Sequence, residues 1–151
     1  MRSKILRWTA PALVAGFLCV ASVQAQGLEP RFKIPFPFQV QEKVLPAGEY
    51  YVSQMKGHPA TVSFYSSDGK SHAFASTFSY SAKDDAVRPA KLVFNRYGEE
   101  KYFLSRYLPP YRTAGRQVVM SESERAMVQT WWKIDQVTLL QLPERNGNSS
   151  K

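Results

Sequence analysis

Hydrophobic side chains recur at every second position along most of this chain, and Pro, Gly and Asp interrupt the alternation at short intervals. The pattern is clear at Ile34, Phe36, Phe38 and Val40. Successive side chains of a β-strand point to opposite faces, so a period of two buries one face and exposes the other. The pattern predicts a mostly β protein, a single antiparallel barrel or sandwich of about seven strands with one short helix before the last strand.

The turn residues divide the chain into segments that can be assigned one by one. We expect strands at about residues 32–41, 50–54, 61–65, 71–80, 91–97, 101–108 and 134–142. Pro35 and Pro37 cannot donate to a ladder, so the first strand is expected at a sheet edge. Ser121 and Glu124 have the spacing of a capping box and predict the helix, over residues 122–129. In the fourth strand an aromatic face opposes a face of small residues, and the pattern leaves open which of the two is buried.

The first 25 residues have the organisation of a signal peptide. Three basic residues precede an apolar run over residues 10–20, and Val23-Gln24-Ala25 matches the small-residue pattern after which signal peptidase cleaves. The apolar run is shorter than the ~20 residues of a membrane-spanning helix. We therefore predict a cleaved signal peptide at residues 1–25 and a mature protein that is periplasmic or secreted.

The mature part has the length of one domain. Removal of 25 residues from 151 leaves 126, and we assign residues 26–145 to a single β domain and residues 146–151 to a disordered tail. The leader contains three of the 20 basic residues and none of the 12 acidic ones, which leaves a mature net charge of +5. This scattered charge suits an envelope protein and does not indicate a nucleic-acid partner. We expect no transmembrane span in the mature chain, and the sequence does not indicate an oligomeric state.

The residue types that catalysis and metal binding need are scarce. Cys19 is the only cysteine and lies in the leader, so the mature part has no disulfide, thiolate metal site or cysteine nucleophile. His58 and His72 are the only histidines, too few for a zinc site without further ordered ligands. We expect no catalytic residue, no metal and no cofactor, and hence a protein that is not an enzyme.

Cationic and aromatic side chains alternate along residues 95–107, across one predicted hairpin. A two-residue turn would place Arg96 opposite Lys101, and like charges directly opposed are unfavourable. A three-residue loop at residues 98–100 instead places Arg96 opposite Tyr102. In this preferred register Arg96, Tyr102 and Arg106 share one face.

We predict that Arg96, Tyr102 and Arg106 bind a ligand. A guanidinium offers a planar donor fork to carboxylate or phosphate and stacks on aromatic rings, so the ligand is expected to be an anionic or amphipathic small molecule or an envelope component. The alternative is that these arginines pair with Glu99, Glu100 or the helix glutamates and that the aromatic rings serve packing.

Several short segments occur in the order and at the spacing of a known family. They are Pro-Phe-Pro-Phe-Gln-Val (35–40), Leu-Pro-Ala-Gly-Glu-Tyr (45–50), Asp-Gly-Lys (68–70), Leu-Val-Phe-Asn-Arg-Tyr-Gly (92–98), Tyr-Phe-Leu (102–104) and Ser-Glu-Ser-Glu-Arg (121–125). In these segments the chain resembles short, signal-peptide-bearing proteins of unknown function from soil-dwelling, double-membraned bacteria. The resemblance implies a compact β domain with one helix before the final strand, and it implies no activity and no site residue.

These observations leave three functions open. We expect an exported, non-catalytic envelope protein that binds a ligand or partner. The first alternative is a structural or assembly component that acts through an exposed strand edge, with residues 32–41 as the candidate. The third is a small hydrolase. A closed barrel with an internal cavity would favour ligand binding, a filled core with an unpaired edge would favour assembly, and a nucleophile beside a base in a cleft would favour hydrolysis.

Overall fold

The computed structural model describes residues 29–82, 89–131 and 133–144, so the predicted leader and tail lie outside the described residues. The described part is mostly β, with one helix before the last strand, which confirms the predicted fold class. The elements are β1 (Arg31–Ile34), β2 (Phe38–Val40), β3 (Lys43–Leu45), β4 (Gly48–Gln54), β5 (Thr61–Ser66), β6 (His72–Ser81), β7 (Lys91–Tyr97), β8 (Lys101–Leu108), β9 (Ala114–Val118), α1 (Glu122–Thr130) and β10 (Asp135–Leu140).

Eight of the strands form a continuous path of antiparallel pairs in the order β1-β4-β5-β6-β9-β8-β7-β10. The first half of β6 pairs with β5 and its second half with β9, so β6 joins two parts of the sheet. The two ends of the path approach each other where the Leu142 N–H donates to the Arg31 carbonyl at 2.7 Å. The sheet is not closed, however, because β1 and β10 form no ladder.

The strand count differs from the prediction of about seven, because ten strands are present in the described residues. The first predicted strand is two strands, β1 and β2, separated at Pro35 and Pro37, which have no N–H to donate. β2 then pairs with β3 as a hairpin and touches β8 through one parallel contact, between Gln39 and Phe103. β3 is thus a second strand beyond the prediction. β9 is the third, and its short sequence around Gly115 has no hydrophobic alternation.

The inward side chains of both parts of the sheet meet in one core. Phe38 of β2 lies at its centre, with ring centroids 5.2 Å from Tyr50, 6.2 Å from Phe64 and 5.5 Å from Phe94. Burial of each such ring contributes about 1.5–3 kcal/mol relative to exposure. Further buried members of this core are Phe32, Ile34, Val40, Leu45, Val52, Val62, Ala73, Ala75, Ala90, Leu92, Leu104, Tyr107 and Val118. The interior is therefore filled by side chains.

The orientation of β6 resolves the question that its sequence left open. Ala73, Ala75 and Thr77 point inward and are buried, whereas the aromatic side chains of this strand point outward. Ala73 lies opposite the buried Phe64 of β5, and β6 also packs against the β2–β3 hairpin. Small inward side chains on β6 leave the space that the large rings of its neighbours fill.

The helix lies where it was predicted and packs on the outer face of the β7–β8 hairpin. Ser121 caps it by accepting from the Glu124 N–H at 3.1 Å. The Glu124 carboxylate is buried and accepts from Asn95 Nδ2 at 2.9 Å and from the Tyr97 hydroxyl at 3.1 Å. The serine half of the predicted capping box is confirmed, whereas the side chain of Glu124 binds residues of the sheet. No helix in the described ranges is long and apolar enough to cross a membrane.

Candidate functional site

The register predicted for the β7–β8 hairpin is confirmed. Arg96 lies opposite Tyr102 and Phe94 opposite Leu104, so Gly98, Glu99 and Glu100 form the connection. Gly98 has φ of +63°, a conformation that glycine adopts without steric cost. The three-residue loop thus keeps Arg96 and Lys101 from facing each other.

The prediction that Arg106 shares a face with Arg96 and Tyr102 is wrong, because the register shifts within the hairpin. The shift lies between Val93 and Phe94, and it places Arg106 opposite Val93. A β-bulge inserts one extra residue and reverses the faces of the residues beyond it. The inward position that the pattern gave to Arg106 is taken by the buried Tyr107, which lies opposite Leu92.

The two arginines have different partners. Arg96 Nη2 lies 2.8 Å from Asp135 Oδ2 of β10, and Arg106 Nη2 donates to Gln136 Oε1 at 3.0 Å. The hydrogen bond from Arg96 holds the pKa of Asp135 below its usual value. The alternative partners, the glutamates of the loop and the helix, are not the ones the arginines contact here. Arg96, Tyr102 and Arg106 do not converge on one surface, and an anion at Arg96 has to compete with Asp135.

Tyr102 belongs to a packed pair of rings. Its ring stacks on Phe36 with centroids 3.8 Å apart and planes 12° apart, and Phe36 also meets Phe94 edge-on at 5.4 Å. Phe36 and Tyr102 are half-buried and pack against the core. The aromatic side chains of this hairpin therefore contribute packing at the edge of the core.

A different set of rings lies on the outer surface of β4, β5 and β6, and we call it the aromatic face. It consists of Tyr51, Tyr65, His72, Phe74 and Phe78. The exposed fractions are 38% for Tyr51, 43% for Tyr65, 42% for Phe74 and 55% for Phe78. Side chains of this size are usually more buried in a protein, so a contiguous exposed group is informative.

Cross-strand pairing brings these rings together. Tyr51, Tyr65 and His72 lie in one row across the three strands, and Phe74 follows His72 two positions along β6. The ring centroids of Tyr65, His72 and Phe74 lie 6.0–6.4 Å apart. Tyr65 and Phe74 meet edge to face, at 84°. The aromatic face is thus built by a regular ladder, with side chains held on rigid strands.

Hydroxyl groups fill the positions between the rings. Ser53, Thr61 and Ser76 point outward on the same three strands, and the hydroxyls of Ser53 and Ser63 lie 3.2 Å apart. No aliphatic side chain points outward from β4, β5 or β6 within the described residues. The face therefore combines aromatic rings with hydroxyls.

The charged side chains at the margins of the aromatic face are of both signs. Arg31 Nη1 lies 3.6 Å from Glu49 Oε2 at one margin, where Lys33 also faces Glu49, and Lys70 Nζ lies 3.9 Å from Asp68 Oδ2 in the β5–β6 turn. Asp68 also accepts from the Ser66 hydroxyl at 2.6 Å, and this hydrogen bond lowers the pKa of its carboxyl. The margins thus leave the face close to neutral.

The surface also has concave regions. One of about 420 Å³ lies beside the β1 edge and adjoins the aromatic face at Tyr51, with Glu29, Glu49 and Glu144 in its wall together with Arg31. Another, of about 300 Å³, lies between the β2–β3 hairpin and α1. In residues 29–82, 89–131 and 133–144 no group of three His, Cys, Asp or Glu side chains could hold a metal ion.

Sequence reasoning identified the aromatic side of β6 but not its direction. The deciding signal was present in the neighbouring strand, because Phe64 of β5 must share an inward row with a residue of β6, and only a small partner leaves it room. Tyr51 and Tyr65 could then have been assigned outward by alternation.

Comparison with known proteins gives no relative. Neither the protein-family models nor the curated proteins nor the solved structures contain a match to this chain. The resemblance in short motifs therefore stays a prediction.

Proposed function

We propose that this chain is an exported, non-catalytic protein of the cell envelope that binds a partner through the aromatic face. The observation that carries the proposal is the orientation of β6, which turns its small residues inward and exposes Phe74 and Phe78. Exposed apolar surface is retained at a cost in solubility, and contiguous patches of it commonly mark interaction sites. Tyrosine in particular is enriched at the energetic centre of protein interfaces.

The filled interior supports a binding site on the outside of the sheet. The core is closed by rings such as Phe38 and Phe64, which are nearly inaccessible to solvent. A ligand inside the sheet would have to displace them into solvent, at about 1.5–3 kcal/mol for each aromatic side chain. The predicted signal peptide supports the location, since it directs the mature chain across the inner membrane.

The test is binding to isolated cell envelopes of a bacterium with two membranes. The purified mature chain is co-sedimented with the total envelope fraction, beside the double variant Tyr65→Ser with Phe74→Ser. We expect about tenfold weaker binding by the variant, because two aromatic contacts contribute about 0.5–1.5 kcal/mol each.

The matched control is Tyr111→Ser, which removes an exposed tyrosine outside the aromatic face, 72% accessible. It is expected to bind like the unchanged chain. Equal binding by all three proteins would contradict the proposal.

Assembly through a strand edge is the second candidate, and one observation favours it. Over the described residues β10 pairs only with β7 and β3 only with β2, so each offers an edge to another strand. β1, part of the segment predicted as the edge, pairs only with β4 and also lies at an end of the path.

Sedimentation velocity at several concentrations tests this candidate. Edge-mediated assembly predicts oligomers that Leu140→Lys returns to monomers, because a lysine on an edge strand opposes pairing with another chain. Leu140 is 54% exposed, so the change itself disturbs little packing. A monomer at every concentration would exclude assembly by this chain alone.

A further inference from the structure

We infer that the partner of the aromatic face is a glycan strand of neutral or N-acetylated sugars. This inference rests on the proposed function and names the chemistry of the partner. Three properties of the face lead to it: the kinds of side chain that point outward, their state of charge, and the layout of the rings over several strands.

The first property is composition. Apart from Glu49 at the margin, the outward positions of β4, β5 and β6 hold rings and hydroxyls, with Ser53, Thr61 and Ser76 between the rings and no aliphatic side chain among those described. A sugar ring has apolar C–H faces and a rim of hydroxyls. The C–H faces pack on aromatic rings, and the rim exchanges hydrogen bonds with serine, threonine and tyrosine hydroxyls. Protein interfaces are also rich in tyrosine, but serine and threonine are under-represented among the residues that carry their binding energy.

The second property is charge. The chain carries a formal net charge of +8, yet the cations at the margins of this face lie beside carboxylates. Arg31 is near Glu49 and Lys70 near Asp68, and Lys33 faces Glu49 across the β1–β4 pair. Anionic lipid headgroups are attracted by clusters of Lys and Arg that are available to them. Cations that lie beside carboxylates do not form the basic cluster that a membrane surface attracts, so the face fits a neutral polymer better.

The third property is extent. The rings form a row across β4, β5 and β6 from Tyr51 through Tyr65 to His72, and a second line along β6 through Phe74 to Phe78. Neighbouring strands are about 4.8 Å apart, and outward residues of one strand about 6.6 Å apart. The rings of the row have the first spacing and His72 and Phe74 the second, whereas Phe78 lies two outward positions, about 13 Å, beyond Phe74. On an open surface these rings offer successive contacts to a chain of sugars and no enclosure for a single sugar.

The experiment uses peptidoglycan sacculi that have been stripped of proteins and lipids, with the hexamer of N-acetylglucosamine as a soluble competitor. The unchanged mature chain is expected to bind the sacculi, and the hexamer to displace it. Tyr65→Ser with Phe74→Ser is expected to bind about tenfold more weakly, the loss that ~1.4 kcal/mol of aromatic contact produces.

Two further variants separate stacking from a loss of fold. Tyr65→Phe keeps the ring and should bind within about twofold of the unchanged chain, whereas Tyr111→Ser removes a tyrosine elsewhere and should bind normally. All variants are compared by their thermal unfolding midpoints. A Tyr65→Phe variant as weak as the serine double variant would overturn the role of ring stacking.

The outcomes distinguish the inference from the function on which it rests. Binding to total envelopes through the aromatic face without binding to sacculi would overturn the glycan partner and leave the proposed function standing. Binding to vesicles of phosphatidylethanolamine and phosphatidylglycerol in place of sacculi would identify a lipid partner and also overturn the inference. Failure to bind envelopes at all would remove both.

Discussion

At the scale of single residues, Glu124 shows how one side chain joins helix and sheet. Its buried carboxylate accepts hydrogen bonds from the Asn95 amide and the Tyr97 hydroxyl, both on β7. Burial, with Glu124 beside it, raises the pKa of Tyr97, so that hydroxyl stays protonated and keeps donating. The contact fixes α1 against the hairpin next to Gly98.

Replacing Glu124 by Ala is expected to lower the free energy of unfolding by about 1–3 kcal/mol, since the buried Tyr97 hydroxyl and the partly buried Asn95 amide lose their acceptor. Urea unfolding measures the change. Glu122→Ala, on the exposed side of the same helical turn, is the control and is expected to cost well under half as much. Equal losses for the two variants would show that the buried carboxylate is unimportant.

Gly115 gives a second prediction at this scale, because the Tyr80 ring covers it. A Cβ at Gly115 would lie 2.5 Å from that ring, whereas a Cβ at Gly48 would meet its nearest neighbour, Tyr50, at an ordinary 3.5 Å. We expect Gly115→Ala to cost about 1–3 kcal/mol by overpacking. Gly48→Ala should be neutral or stabilise the fold by up to about 1 kcal/mol. Thermal unfolding of both variants compares the two glycines, and an unchanged midpoint for Gly115→Ala would contradict this account.

At the scale of elements, the β2–β3 hairpin is connected to α1 through one carboxylate. Glu42, in the turn of that hairpin, accepts from the Glu122 N–H at 2.8 Å and from the Ser123 hydroxyl. Acceptors at a helix N-terminus satisfy N–H groups that have no partner within the helix. The Ser123 hydrogen bond, supported by the backbone donors, holds the pKa of Glu42 below its usual 4.5.

This contact makes part of the stability depend on pH. A carboxyl whose pKa is depressed in the folded state contributes stability that is present above about pH 4.5 and is lost as the pH falls through the folded value. Glu42→Gln should therefore lower the unfolding midpoint at pH 7 and match the unchanged chain in strong acid. Thermal unfolding from pH 7 to pH 2 follows the difference, with the exposed Glu99→Gln as control. A difference that persists undiminished at pH 2 would contradict the contact as described.

Much of the element layout could be predicted from the sequence, and the parts that could not have physical reasons. Alternation placed β4 through β8 and the last strand, and the capping serine placed α1. The bulge that turns Arg106 outward could not be seen, because it arises from ladder geometry and leaves no mark in hydrophobic period. β9 was missed because it has a glycine where the pattern needs a side chain, and the Tyr80 ring occupies the space above Gly115.

At the scale of the whole molecule, the path of strands nearly encircles a filled core. Its two ends meet at one backbone hydrogen bond, from Leu142 to Arg31. Rings from both parts of the sheet fill the interior, so a binding site has to lie on the outer surface of the sheet. The surface proposed for binding differs from the one predicted from alternating cations and rings on β7 and β8, and ligand binding by Arg96, Tyr102 and Arg106 stays a prediction. Arg96 pairs with Asp135 there, while the exposed rings lie on β4, β5 and β6.

Hydroxyl-radical footprinting, read by mass spectrometry with and without the total envelope fraction, tests most directly which surface meets the partner. The aromatic face predicts that Tyr51, Tyr65 and Phe74 become protected from oxidation on binding, while the exposed Tyr111 stays as reactive as in the free chain. Protection of Tyr102 with Tyr65 and Phe74 unchanged would place the contact on the β7–β8 hairpin and contradict the account.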